Sequence, residues 1–310
     1  MTATIRVLER DRTFTPLGIR FWDAALDVPV TEPLTVHAWL RGSLYPPTRA
    51  VRASNGIYAF HALPGQADAE RPARGEEHPE RVGPEREYAI AVDDPAGRYL
   101  PVAFTVTLPL GYRGVFLEPA DTTAASPPAP LGRAYLFPAV GRPAPRGIAA
   151  IHATLVDEAT VGSTDVRPAA WAVLTATLGG EAYTGIADAE GRVVVMLPFP
   201  TPERLRQGSP PVDTREASWP VTLSAAWEPA ALRYPFPARG ELNPAWADRP
   251  SLKSILYEQG PAPVRVDESE APVLEWTETL VHGRELVLRT TLAGGARDAT
   301  VWIAAGASPP

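Results

Sequence analysis

Proline constrains this chain more than any other residue: 36 of 310 positions, about 12% against an ordinary ~5%, with 24 glycines besides. An interior proline removes a helix hydrogen bond and costs about 3 kcal/mol, and few helix-length stretches here are free of one. Long helices are excluded, which leaves short strands and turns. The rest of the composition is not that of a disordered polymer. Hydrophobic residues make up 45% of the chain, with eight Trp, nine Tyr and eight Phe to fill a core. A chain of this length buries enough surface to fold without disulfides, and it has no cysteine to form one.

Charge narrows the partners. The net charge is -7, and the 29 basic residues are 28 arginines and one lysine, Lys253. No counterion-release drive toward nucleic acid follows from such a balance, and anionic membranes are disfavoured for the same reason. The opening MTATIRVLERDRTF puts Arg6, Glu9, Arg10, Asp11 and Arg12 where a signal peptide needs an apolar run. Cytoplasmic synthesis is therefore expected, with any exit as part of an assembled or released particle. The best apolar run, Val193 to Pro200, has the length of a buried strand and not of a membrane span.

Alternation marks the strands. In TVHAWL, Thr35, His37 and Trp39 share one face while Val36, Ala38 and Leu40 share the other. In GIYAFHALPG, Tyr58 and Phe60 oppose Ile57 and Ala59, and RVVVML is β-branched enough for a strand buried on both faces. Ser54-Asn55-Gly56, Asp188-Ala189-Glu190-Gly191 and His282-Gly283-Arg284-Glu285 read as the turns between strands. The first two also expose a repeat: Asp23 to Gly56 spans 33 residues and Asp157 to Gly191 spans 34, with FWDAALDVPVTEPLTVHAW matching LVDEATVGSTDVRPAAWAVL. After each turn a strand ends in Leu-Pro, at Leu63-Pro64 and Leu197-Pro198.

Residues 121 to 131, DTTAASPPAPL, read as a linker, so a first module is expected over 1–120 and a second over 132–250. Residues 66 to 87 carry seven acids and four arginines and are expected to form a mobile loop. Long connections are expected over Thr201 to Ser218 and Pro229 to Pro250. In the last stretch, 251–310, strands are expected at Lys253 to Tyr257, Val273 to Val281, Leu286 to Leu292 and Thr300 to Ala304. They either complete the second module or form a small third unit, and the sequence repeat does not reach them.

An apolar strand ending in Asp (Phe21 to Asp23, Leu155 to Asp157), a proline-bearing turn and then an alternating strand resembles carboxypeptidase-regulatory-like modules. Asp188 to Gly191 and the exit Leu63-Pro64-Gly65 match the same pattern, over residues 18 to 108 and 147 to 228. Ser54 where aspartate is usual, and Phe199 where glycine would follow Leu-Pro, depart from it. The resemblance implies an all-β chain of two transthyretin-like (Ig-like) antiparallel β-sandwiches with extra C-terminal strands. It implies a structural or presenting role rather than a reaction.

No reaction centre is legible. His37, His61, His78, His152 and His282 lie at least 17 residues apart, and no H-E-x-x-H occurs. His37, His61 and His152 fall in expected strands, where a partly buried, hydrogen-bonded histidine is the plain reading. G-x-S-x-G, a phosphate-binding loop and a dinucleotide fingerprint are all missing. Lys253 is expected on a strand with its ammonium in solvent. Asp93-Asp94, ahead of Pro95-Ala96-Gly97, signals a turn, and Asp267-Glu268-Ser269-Glu270 lacks the glycine and ligand spacing of a calcium loop. No catalytic, metal or cofactor residue is assigned, and an enzyme is not expected.

The expected function is a non-catalytic structural or adaptor subunit whose partners are other subunits of an assembly. Tyr135 to Asp157, YLFPAVGRPAPRGIAAIHATLVD, is similar to segments of regulatory-like-domain proteins associated with phage-tail-like contractile injection systems. That likeness implies a cap, collar or baseplate-linked accessory. The alternative is a module that binds carbohydrate or a cell surface through exposed aromatics. Tyr234, Phe236 and Trp246, in a breaker-rich connection, are the candidate partner-contact anchors; otherwise they cover a sheet edge or a seam. Edge strands open to pairing supply the binding mode.

Overall fold

A computed structural model of the chain describes residues 15–70, 84–108, 134–200, 217–237 and 242–306. The expected linker 121–131, most of the charged loop 66–87 and most of the connection 201–218 lie outside them. With 43% strand and 8% helix, the fold is all-β, as expected.

The first sandwich is built from β1 (Leu17–Ile19), β2 (Phe21–Asp23), β3 (Val28–Pro29), β4 (Thr35–Leu40), β5 (Thr48–Arg49), β6 (Val51–Arg52), β7 (Tyr58–Phe60), β8 (Arg86–Asp93), β9 (Val102–Leu108) and β10 (Ala134–Leu136). One layer runs β5-β4-β8-β9; the other joins β1-β7-β6 to β10-β2-β3. Between them lie Ile19, Phe21, Val36, Tyr58, Ile90 and Phe104, the alternate residues that the strand period sends to one side. A short helix, α1 (Ala67–Glu70), follows β7.

The second sandwich uses β11 (Ile148–Asp157), β12 (Val173–Leu178), β13 (Glu181–Ile186), β14 (Arg192–Pro198), β15 (Ser218–Ala226), β16 (Val264–Arg265), β17 (Glu275–Val281), β18 (Leu286–Val287) and β19 (Val301–Ile303). Its layers run β14-β11-β19-β16, with β18 also on β11, and β13-β12-β15-β17. RVVVML is buried on both faces as expected: Val193, Val195 and Leu197 enter the core, while Val194 and Met196 pack outward with Ala150, Ala144 and Ala25.

The two sandwiches share one plan. Each opening strand pairs antiparallel with the strand that follows the tight turn, β1 with β7 and β11 with β14. Parallel pairing with the last strand follows in each, β2 with β10 and β11 with β19, so that Leu136 lies opposite Asp23 and Ile303 opposite Asp157. Gly191 shows why the second turn must be tight: its φ is +75°, and a Cβ there would lie 2.3 Å from the Leu155 carbonyl oxygen.

Three expectations need correction. The first sandwich takes β10 from beyond the expected linker, so its chain does not close by residue 120. Of the two alternatives left open for the strands after residue 250, the pairing takes the first: they complete the second sandwich, and the repeat reaches them in topology although not in sequence, because pairing is fixed by apolar faces and not by identical residues. Lys253 to Tyr257 is no strand but a helix, α3 (Leu252–Tyr257), following α2 (Pro244–Ala247). Leu252, Ile255 and Leu256 recur at helical spacing and seat on the first core, while Lys253 points to solvent. Leu286 to Leu292 is also shorter than expected as a strand, which covers Leu286–Val287, with Thr291 making isolated bridges to Asp267 and Arg297.

Candidate functional site

The anchor residues separate. Tyr234 is exposed, but Phe236 and Trp246 are buried. Their segment is a strap over the outer face of β4, β8 and β9, packing on Trp39, Ala89, Ala91 and Ala103. The Trp246 ring lies 5.1 Å from His37 and 5.2 Å from Phe236, and the Phe236 ring 6.2 Å from Trp39. Arg249 fastens the strap, donating to an Asp93 carboxylate oxygen at 2.9 Å. These two rings are thus spent inside the chain.

The histidines stay apart. His37 is half-buried with an unpartnered Nδ1, and burial, helped by Arg49 across the β4–β5 pair, lowers its pKa. His61 lies just past β7, with Nδ1 3.4 Å from Glu70, whose carboxylate also accepts from the Ala62 N–H. His152 faces Glu285 at 3.9 Å. His282 packs with Phe199, ring centroids 4.8 Å apart, and both lie near Trp219. His78 lies outside the described residues. Among those residues, no group of three His, Asp or Glu could hold a metal ion, and no helix is long and apolar enough to cross a membrane.

The acidic runs are turns. Asp94 accepts from the N–H groups of Ala96 and Arg98 and from the Arg98 side chain. Burial pushes its carboxyl upward, but these hydrogen bonds outweigh it and hold the group below the usual range. Asp267 accepts from the Ser269 hydroxyl and N–H, which lower its pKa.

What remains is a sheet edge. β9 and β17 occupy the same outer position in their sheets, next to β8 and β15. Beside β9 the chain occupies part of its own edge: Ser251 bridges Ala103, and α3 packs alongside. β17 pairs with β15 from Ser218 opposite Val281 to Ser224 opposite Glu275. No other backbone hydrogen bond reaches Glu275 to Leu280 among the described residues. A seven-residue strand with one side unpaired among the described residues is a template for another chain.

The side chains of β17 alternate. Trp276, Glu278 and Leu280 lie opposite Leu223, Val221 and Trp219; Leu223 and Val221 are fully buried, so all three face the core side. Glu275, Thr277 and Thr279 face solvent. Burial raises the Glu278 carboxyl pKa, and Arg297 opposes that shift more weakly. The sequence reading placed a strand here but passed over Glu278, although the alternation of WTETL already sets it between Trp276 and Leu280. No protein-family model matches the chain, and no curated protein matches it.

Proposed function

We propose that this chain is a non-catalytic structural or adaptor subunit that docks a partner by strand addition at β17. The β17 edge, unpaired among the described residues, carries this reading; the equivalent β9 edge is bridged by the chain itself at Ala103. The repeated strand order supports kinship with carboxypeptidase-regulatory-like, transthyretin-like modules. The likeness of Tyr135 to Asp157 to proteins of phage-tail-like contractile injection systems supports an accessory place in such a particle, at a cap, collar or baseplate. Co-purification of the tagged chain with the products of neighbouring genes tests this. Sheath, tube or baseplate subunits should be retained, and lost when Thr277 and Thr279 are both changed to Lys, a charge that blunts edges. Retention unchanged in that variant removes β17 as the docking strand.

A second reading, carbohydrate binding, draws on Phe199, Trp219 and His282, three half-buried rings gathered at one end of the second sandwich. Saturable binding to a glycan array, abolished by Trp219→Ala, would favour it over the assembly reading.

A further inference from the structure

The edge-docking reading leaves the partner's chemistry open, and β17 itself narrows it. Resting on that reading, we propose that Glu278 selects the incoming strand: β17 accepts one with arginine or lysine directly opposite Glu278 and apolar residues two positions to either side, and refuses a second copy of itself.

The argument starts from an acid on the wrong face. Glu278 stands on the core side of its strand, between Trp276, which packs against the second core, and Leu280, which is part of it. It is half-buried and makes no hydrogen bond or ion pair among the described residues; Arg297 is the charged group near it. The twin edge carries no such acid, since β9 sends Val102, Phe104, Val106 and Leu108 to the core, and Ser251 bridges it at Ala103. The charge sits on the edge that no such bridge reaches among the described residues.

A strand laid along β17 would place its own residues opposite Trp276, Glu278 and Leu280, on the same face, with Cβ atoms about 5 Å away. It would also take away the water that now reaches the Glu278 carboxylate. A carboxylate losing that water needs a cation in exchange. Leucine opposite gives nothing back, and glutamate opposite repels. Self-pairing meets the second case, because Glu278 is the fourth of seven residues in β17. Antiparallel pairing of two copies over the whole strand sets Glu278 against Glu278 of the other copy.

The test uses the full chain and three labelled peptides, Thr-Leu-Thr-X-Thr-Val-Thr with X as Arg, Leu or Glu, in fluorescence anisotropy titrations. The arginine peptide should bind roughly fivefold tighter than the leucine peptide, and the glutamate peptide weakest. On Glu278→Gln the advantage of arginine should disappear. Equal binding of the arginine and leucine peptides to the unaltered chain overturns the selectivity and leaves edge docking standing. A preference for arginine that persists in Glu278→Gln removes Glu278 as its source. No saturable binding by any of the three overturns both the selectivity and the edge-docking reading.

Discussion

Asp23 ends β2 and Asp157 ends β11, and each uses its two carboxylate oxygens in the same way. One oxygen accepts the N–H two residues on, from Ala25 at 2.9 Å and Ala159 at 3.1 Å. The other accepts an arginine Nη2, from Arg142 at 2.5 Å and Arg167 at 2.6 Å. The cations differ in exposure, with the Arg142 side chain 10% exposed and that of Arg167 64%. Arg142 also stacks on Tyr99, whose hydroxyl donates to Asp23; burial, then the nearby Asp23 charge, pushes that phenol's pKa up and keeps it a neutral donor. Removing Arg142 takes an enclosed cation from a buried carboxylate, which costs about 3–5 kcal/mol, whereas Asp157, also buried, is paired with a cation that stands in solvent, where pairing is worth about 0–1 kcal/mol. Arg142→Met should therefore lower unfolding stability several-fold more than Arg167→Met in chemical denaturation. Equal losses would show that solvent reaches both pairs alike.

Among the elements, β4 shows what alternation reveals and what it hides. Its two faces follow from TVHAWL alone, and Val36 and Ala38 do enter the core. That Trp39 and His37 on the other face are covered by Phe236 and Trp246 is not legible, because those partners lie some 200 residues away and breaker-rich composition suggests exposure. α3 is not legible for a related reason: a six-residue helix offers few turns of periodicity, and only its seat on the first core selects it over a strand. The Asp23–Arg142 pair has no local signal at all.

β17 carries a prediction at the same scale. Its Glu278 carboxyl has a raised pKa in the folded chain, so folding binds the proton more tightly than the unfolded state does. That contribution is present at acid pH and is lost as pH rises through the raised value, with Arg297 the charged group opposing the shift. Glu278→Gln, which cannot ionise, should raise the thermal midpoint at neutral pH by an amount worth below about 1 kcal/mol, since solvent still reaches the group. The gain should vanish as pH falls toward 4, the ordinary glutamate value. A gain that does not depend on pH would mean that packing, not charge, makes the difference.

In the whole molecule the two sandwiches are not independent beads. The first core includes Val173 and Ile186 from the second sandwich, as well as Leu252 and Ile255 from α3. Gln259, just past α3, donates to the Trp171 carbonyl oxygen at 2.9 Å, and Arg249 reaches Asp93. The stretch after residue 250 therefore serves both halves: Ser251 bridges β9, α3 adds to the first core, and β16 to β19 finish the second sandwich. Each of Leu252 and Ile255 contributes about 1.5–3 kcal/mol by burial, so losing them together with four strands is more than a marginally stable chain can absorb. A chain stopped at residue 250 should lose its cooperative thermal transition in both halves, and the complete chain should melt once, with tryptophan fluorescence and far-ultraviolet circular dichroism changing together. Separate transitions in the complete chain, or a native-like first half in the shortened one, would mean that the shared residues touch without coupling the sandwiches. A single transition would instead make the first sandwich's stability depend on the strand order of the second, so that a partner strand added at β17 would stabilise residues of the first sandwich that it never contacts.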